Sequence, residues 1–224
     1  MPVIVELFSS EGCSSCPSAD VTLDRLARQQ PVPGAEILAI EQHVDYWDNL
    51  GWKDPFSSSS YSQRQYGYAD ALGRDGVYTP QMIVDGQAEF TGSNGRRAEE
   101  EIATAARRPH AKVTLTPGPG GLNVSVMDLP PLTPGDTAEL WLALTEGDLS
   151  TQVPRGENAG RLLRHAPIAR ELRRLGTVLP EGYRGEIKLP TPAGGTRDRL
   201  RAVVFVQEAR KHRILGAAAL RLGR

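Results

Sequence analysis

Cys13 and Cys16 are the only two cysteines in this chain of 224 residues, and they stand as Cys13-Ser14-Ser15-Cys16 directly before Pro17. Two thiols at this spacing can open and close a disulfide, and their surroundings decide how readily they do so. An apolar run over residues 3–8 precedes the pair and a helical stretch over residues 17–29 follows it. A strand that runs into a helix at this point sets the first thiol near unpaired backbone N–H groups and the positive end of the helix dipole, and both stabilise a thiolate. Pro17 suits the first helical turn, where its missing N–H costs nothing. Cys13 therefore reads as the nucleophile and Cys16 as the thiol that resolves a mixed disulfide. The hydroxyls of Ser14 and Ser15 can donate to a Cys13 thiolate, whereas the charge of Glu11 opposes one. Two plainer readings compete: a purely structural disulfide, or two members of a metal site.

A second concentration of reactive side chains spans His43, Asp45, Tyr46, Trp47, Asp48, Trp52 and Asp54. It follows a second strand, at the carboxyl end, where α/β folds bind ligands. His43, Asp45, Trp47 and Trp52 are candidates to wall the Cys13 site and choose its substrate. The alternative is an insert whose tryptophans fill its own small core. Cys13, Cys16 and His43 together have the chemistry to hold copper or zinc. No methionine-rich or histidine-rich tract accompanies them, and neither a metal ligand set nor a cofactor is assigned. Gly156 to Arg161 and His165 form a polar, glycine-bearing stretch that either covers the cysteines or links strands.

The elements that must position these groups follow from the apolar pattern. Residues 3–8 form a nearly continuous apolar run, as in a strand buried on both faces. Val21, Leu23, Leu26 and Ala27 recur at helical spacing, residues 36–40 form the next strand, and a helix is expected over 61–72. Residues 81–84 and 89–91 flank Asp85-Gly86, a hairpin signal, and a helix over 96–107 ends at Pro109. Beyond Pro109 the pattern changes to short runs at 112–116, 122–126, 138–144, 185–189, 200–207 and 215–222, most of them alternating and separated by Pro/Gly turns. Such a series predicts an antiparallel sandwich. Residues 168–175 depart from it and read as a short helix or long loop, with Arg170, Arg173 and Arg174 on a solvated face.

The order strand, C-x-x-C, helix, strand, insert, Thr79-Pro80, hairpin, helix resembles the thioredoxin fold. More narrowly, five motifs resemble a thioredoxin-like bacterial family known as domain of unknown function 1223. They are the segment from Glu6-Leu7-Phe8 through Cys13-Ser14-Ser15-Cys16-Pro17, His43-Val44-Asp45-Tyr46-Trp47, Gly51-Trp52-Lys53-Asp54-Pro55-Phe56, Val77-Tyr78-Thr79-Pro80-Gln81-Met82 and Gly156-Glu157-Asn158-Ala159-Gly160-Arg161. The resemblance implies a cis bond before Pro80, with Pro80 facing the cysteines and Thr79 and Tyr78 docking substrate. It also implies that Glu6, the charged residue of the first strand, serves as a buried proton relay beneath Cys16; the plainer alternative is a carboxylate capped by backbone N–H groups or by an arginine at the strand edge. Export to the periplasm is a further implication. The chain itself enters a strand directly after Met1-Pro2 with no signal-peptide pattern, which predicts a cytoplasmic protein if the chain is full length.

Taken together, these readings predict an α/β thioredoxin-like domain over residues 1–109, with an insert at about 43–72, followed by an all-β, sandwich-like domain over 110–224. The expected function is thiol–disulfide exchange with a protein or small-molecule thiol or disulfide. The alternatives are a metal-binding or metallochaperone module on the same cysteines, or a non-catalytic interaction protein. A formal net charge of −1 with interspersed signs argues against nucleic acid as partner, and no apolar run reaches the roughly 18 residues of a membrane span.

Overall fold

The computed structural model describes residues 1–189 and 196–223. β1 (Pro2–Ser9) and β2 (Glu36–His43) run parallel in full register, from Pro2 opposite Glu36 to Ser9 opposite His43. α1 (Pro17–Gln29) makes the crossover, starting on Pro17 and ending at Gln30 in the left-handed conformation. Val3, Val5 and Leu7 of β1 and Ile37 and Ala39 of β2 share a core with Leu23 and Leu26 of α1. The alternate residues Ile4, Leu38 and Ile40 face the other way, into a second core that contains Tyr61 of α2 (Ser59–Leu72). Burial on both faces is why these strands read as apolar runs rather than alternations.

β3 (Gln81–Val84) lies antiparallel to β1, and β4 (Ala88–Thr91) completes the hairpin through Asp85 and Gly86, both at positive φ. The Thr79–Pro80 peptide bond is cis. α3 (Gly95–Ala105) adds Ala98 and Ile102 to the first core. The chain continues through β5 (Lys112–Gly118), β6 (Gly121–Met127), β7 (Ala138–Glu146), β8 (Ser150–Gln152), β9 (Leu162–Arg164), β10 (Ile168–Val178), β11 (Tyr183–Ile187), β12 (Leu200–Glu208) and β13 (Ile214–Arg221). No helix among the described residues is long and apolar enough to cross a membrane.

This architecture overturns the expected fold class, an α/β thioredoxin-like domain followed by an all-β sandwich. The described residues are mostly β with three α-helices, and one large mixed sheet runs in the order β13-β12-β7-β10-β2-β1-β3-β4. Strands from 110–224 therefore continue the sheet begun by residues 1–109. A three-stranded sheet, β11-β6-β5, packs on their outer side through Leu122, Val124, Leu140, Leu142, Val204 and Val206. Their other side meets β1 and β2 through Ala143, Ala169, Val203 and Phe205. Alternation reports that a strand has two kinds of face; it does not say which neighbour the strand pairs with. Residues 168–175 are strand, not helix or loop. Their arginines are held by carboxylates, Arg170 by Glu146, Arg173 by Glu171 and Arg174 by Glu139. β10 joins β2 through a single register pair, Ile168 opposite Glu41, and then runs antiparallel to β7.

Candidate functional site

The C-x-x-C turn leaves the carboxyl end of β1. The Cys13 N–H bonds Ser10 O at 3.1 Å and the Cys16 N–H bonds Cys13 O at 3.2 Å, which winds the chain into α1. Cys16 is the N-cap residue, its carbonyl accepting from Ala19 and Asp20. Cys13 and Cys16 form a disulfide with Cα atoms 5.4 Å apart. The Ser15 hydroxyl lies 3.4 Å from Cys13 Sγ. Ser14 and Ser15 are exposed, but Cys13 retains only 1 % of its surface and Cys16 none. While the disulfide is closed, neither sulfur is a thiolate ligand for a metal.

A distant segment bonds to this turn. Asn158 is fully buried, and its amide nitrogen donates to Glu11 O at 2.9 Å and Cys13 O at 3.0 Å. Its amide oxygen accepts from Arg161 Nη1 at 2.7 Å. The Glu157 carboxylate accepts from the Ser14 N–H at 3.1 Å, and the hydroxyl and N–H of Ser14 together hold this exposed acid below its usual range. Gly156 sits at φ +82°, and a Cβ there would approach Trp52 Cβ to 3.2 Å, so the loop seats closely on the Trp52 segment. The stretch over 156–161 thus lies across the cysteine turn.

Pro80 is buried just before β3, where Gln81 pairs with Phe8, so it stands level with the end of β1 from which the turn departs. Trp47 joins the two: its Nε1 donates to Thr79 Oγ1 at 2.9 Å, and its Cβ lies 3.2 Å from where a side chain on Gly12 would start. The Trp52 indole donates to Glu11 Oε2 at 2.7 Å. Tyr78 is exposed, with its hydroxyl on Glu89 at 2.7 Å. Asp45 is engaged with Ser62 of α2.

Glu6 points to the α2 side of β1, away from the core that α1 shares. It is fully buried, with Oε1 accepting from Arg64 Nε at 2.6 Å and Gln42 Nε2 at 2.7 Å. Oε2 accepts from Arg64 Nη2 at 3.1 Å and from the Tyr68 hydroxyl. Gln207 completes the shell of Arg64 at 3.0 Å.

His43 lies on the α1 side and is fully buried. Its Nδ1 bonds Asp54 Oδ2 at 2.7 Å and its Nε2 bonds Glu41 Oε1 at 2.8 Å. His165 bonds Glu11 Oε1 through Nε2 at 3.1 Å, and the two imidazoles meet edge to face at 5.1 Å. Burial disfavours the charged form of both rings, but the carboxylates outweigh it. His43 is held well above its ordinary value by Asp54 and Glu41, and His165 is pushed up to about 9 by Glu11 and Glu41. Asp20, one turn after Cys16, is raised well above the usual carboxylate range, first by burial and then by the charge of Glu41. Glu41 and Asp20 escape a reading of motifs. The one signal for Glu41 is its two-residue spacing from His43 within an apolar strand, which puts both on one face.

The family model described as "Protein of unknown function (DUF1223)" matches residues 4–207. No curated protein matches the chain in sequence. Among solved structures, the crystal structure of a structural-genomics target from Agrobacterium tumefaciens is similar over 99 % of this chain and 94 % of its own, at 26 % identity and a TM-score of 0.77.

Proposed function

Because the chain belongs to the DUF1223 family, whose description names no reaction, we propose its chemistry from the site itself: thiol–disulfide exchange at Cys13 and Cys16. In the reduced protein the Cys13 thiolate attacks one sulfur of a partner disulfide, forming a mixed disulfide and releasing one partner thiol. The Cys16 thiolate then attacks Cys13 Sγ, releases the second partner thiol and closes the Cys13–Cys16 bond. Two electrons and two protons pass to the partner, and the reverse sequence oxidises a dithiol. The N-terminus of α1 and the Ser15 hydroxyl favour the thiolates.

The observation that carries this reading is the disulfide at the mouth of α1, covered by a loop that a few hydrogen bonds hold in place. With Cys13 buried, exchange requires residues 156–161 to swing aside. Thr79, Tyr78, Trp47 and Trp52 then form the margin that a protein or small-molecule partner meets, with Pro80 behind them. Glu6, tied to Arg64, and Asp45, tied to Ser62, take supporting positions in this scheme.

The test is equilibration with glutathione, together with trapping. In folded protein the pair should exchange, and Cys16→Ser should accumulate a mixed disulfide on Cys13. A potential near about −270 mV marks a reductant and one near about −120 mV an oxidant. A pair that stays closed in native protein below about −300 mV, with no trapped adduct, makes the disulfide structural and ends the proposal.

A further inference from the structure

We propose that Glu41, His43 and His165 bind a divalent first-row transition cation, with zinc as its type, in a closed site beneath the Cys13–Cys16 turn. Their ligating atoms all lie within 4.8 Å of one another, and all three side chains are fully buried. Two atoms of these side chains, Glu41 Oε2 and His165 Nδ1, have no hydrogen-bond partner. Buried polar atoms are nearly always satisfied, so two unpartnered atoms within one cluster call for a ligand.

The spacing fits an ion. Glu41 Oε1 is 2.8 Å from His43 Nε2 and 3.6 Å from His165 Nδ1. Ligand atoms around a tetrahedral zinc, each about 2.1 Å from the metal, stand about 3.4 Å apart. Small adjustments of three side chains would admit it. Two imidazoles and a carboxylate are a donor set suited to zinc and its neighbours, and one that sulfur-seeking ions do not prefer.

The outer shell has the form that metal-binding histidines have. The nitrogen of His43 that faces away from Glu41 is held by Asp54, and that of His165 by Glu11. Both carboxylates are fixed in turn: Asp54 by the N–H groups of Glu11 and Phe56, and Glu11 by the Trp52 indole. Carboxylates on the distal nitrogens orient the rings and raise their basicity toward a metal. The Phe56 ring meets both imidazoles edge-on at 5.7 and 5.6 Å and adds an apolar wall. With no ligand side chain at the surface, the role is structural: the ion would pin the segment that carries the Asn158 cover to the end of β2.

The test uses the whole chain, stripped with chelator and titrated with zinc chloride. About one ion per chain should bind and raise the unfolding temperature. Cobalt(II) should give the visible bands of a tetrahedral site without sulfur-to-metal charge transfer. Cys13→Ser/Cys16→Ser should bind as the wild type does. Asp54→Asn should weaken binding about 10- to 100-fold, and His165→Gln by more. Failure of the folded, stripped wild type to bind zinc or cobalt overturns the proposal, whatever the variants do. So does zinc binding that disappears with the cysteines, or that persists undiminished in a folded His165→Gln.

Discussion

β1 and β2 carry a buried polar cluster on each face, and the two are built on opposite principles. On the α2 side, one carboxylate meets one guanidinium: both oxygens of Glu6 and all three nitrogens of Arg64 are bonded. The Arg64 guanidinium also lies 5.0 Å from the Tyr68 ring centroid and 5.5 Å from that of Phe205. On the α1 side, Glu11, Glu41 and Asp54 surround two imidazoles, and two buried atoms have no hydrogen-bond partner. The ion pair of the first cluster is matched in charge and has its bonds filled, although the Gln42 Oε1 beside it has no hydrogen-bond partner. The second is acid-rich and incomplete. A buried ion pair with its bonds filled is an architectural joint, whereas a buried site with bonds to spare implies something further to hold.

The sharpest way to break this contrast is Arg64→Ala, which strands the Glu6 charge in the core. It should cost about 3–5 kcal/mol in denaturant unfolding, while replacing both partners by apolar residues of similar volume should cost far less. A loss below about 1 kcal/mol would remove the joint from that side of the comparison. On the other face, zinc at a hundred times its dissociation constant should add about 2.7 kcal/mol to the wild type. The same addition should leave His165→Gln unmoved in a thermal melt.

Asn158→Ala deletes two bonds from the cover to the cysteine turn. A cost of about 1–2 kcal/mol is expected, together with roughly tenfold faster reduction of the disulfide by dithiothreitol, a factor equivalent to about 1.4 kcal/mol. An unchanged reduction rate would mean that the loop does not gate the sulfurs. The smallest effect belongs to Glu157→Gln. Its contact with the Ser14 N–H is exposed and screened, so the reduction rate should change by less than about twofold.

The local features of this chain were legible beforehand. The apolar run of β1, the helical spacing of α1 and the Asp85-Gly86 turn each depend on neighbours a few residues away, and steric rules act at that range. The C-x-x-C position belongs to the same class, whereas the cis bond at Thr79–Pro80 was an implication of the family resemblance. The association of β7, β10, β12 and β13 with β1 and β2 was not legible, because a strand's alternation is silent about its partner. Nor was the approach of His165 to Glu41, and that of Asn158 to Cys13 stood only as one of two alternatives for its stretch. Those contacts join residues more than a hundred positions apart, and only the completed fold brings them together. β10 was hidden by its arginines, whose carboxylate partners lie on other strands or two residues along the same one.

The lone rung between Ile168 and Glu41 bears on how the protein is made. A ribosome delivers β2 early and Ile168 much later, roughly ten seconds on at synthesis rates of about 5–20 residues per second. Through that interval the outer border of β2 is bare, a template for any stray extended peptide. The newborn chain is at its most vulnerable to mispairing then, and the arrival of β10 closes that border at Glu41.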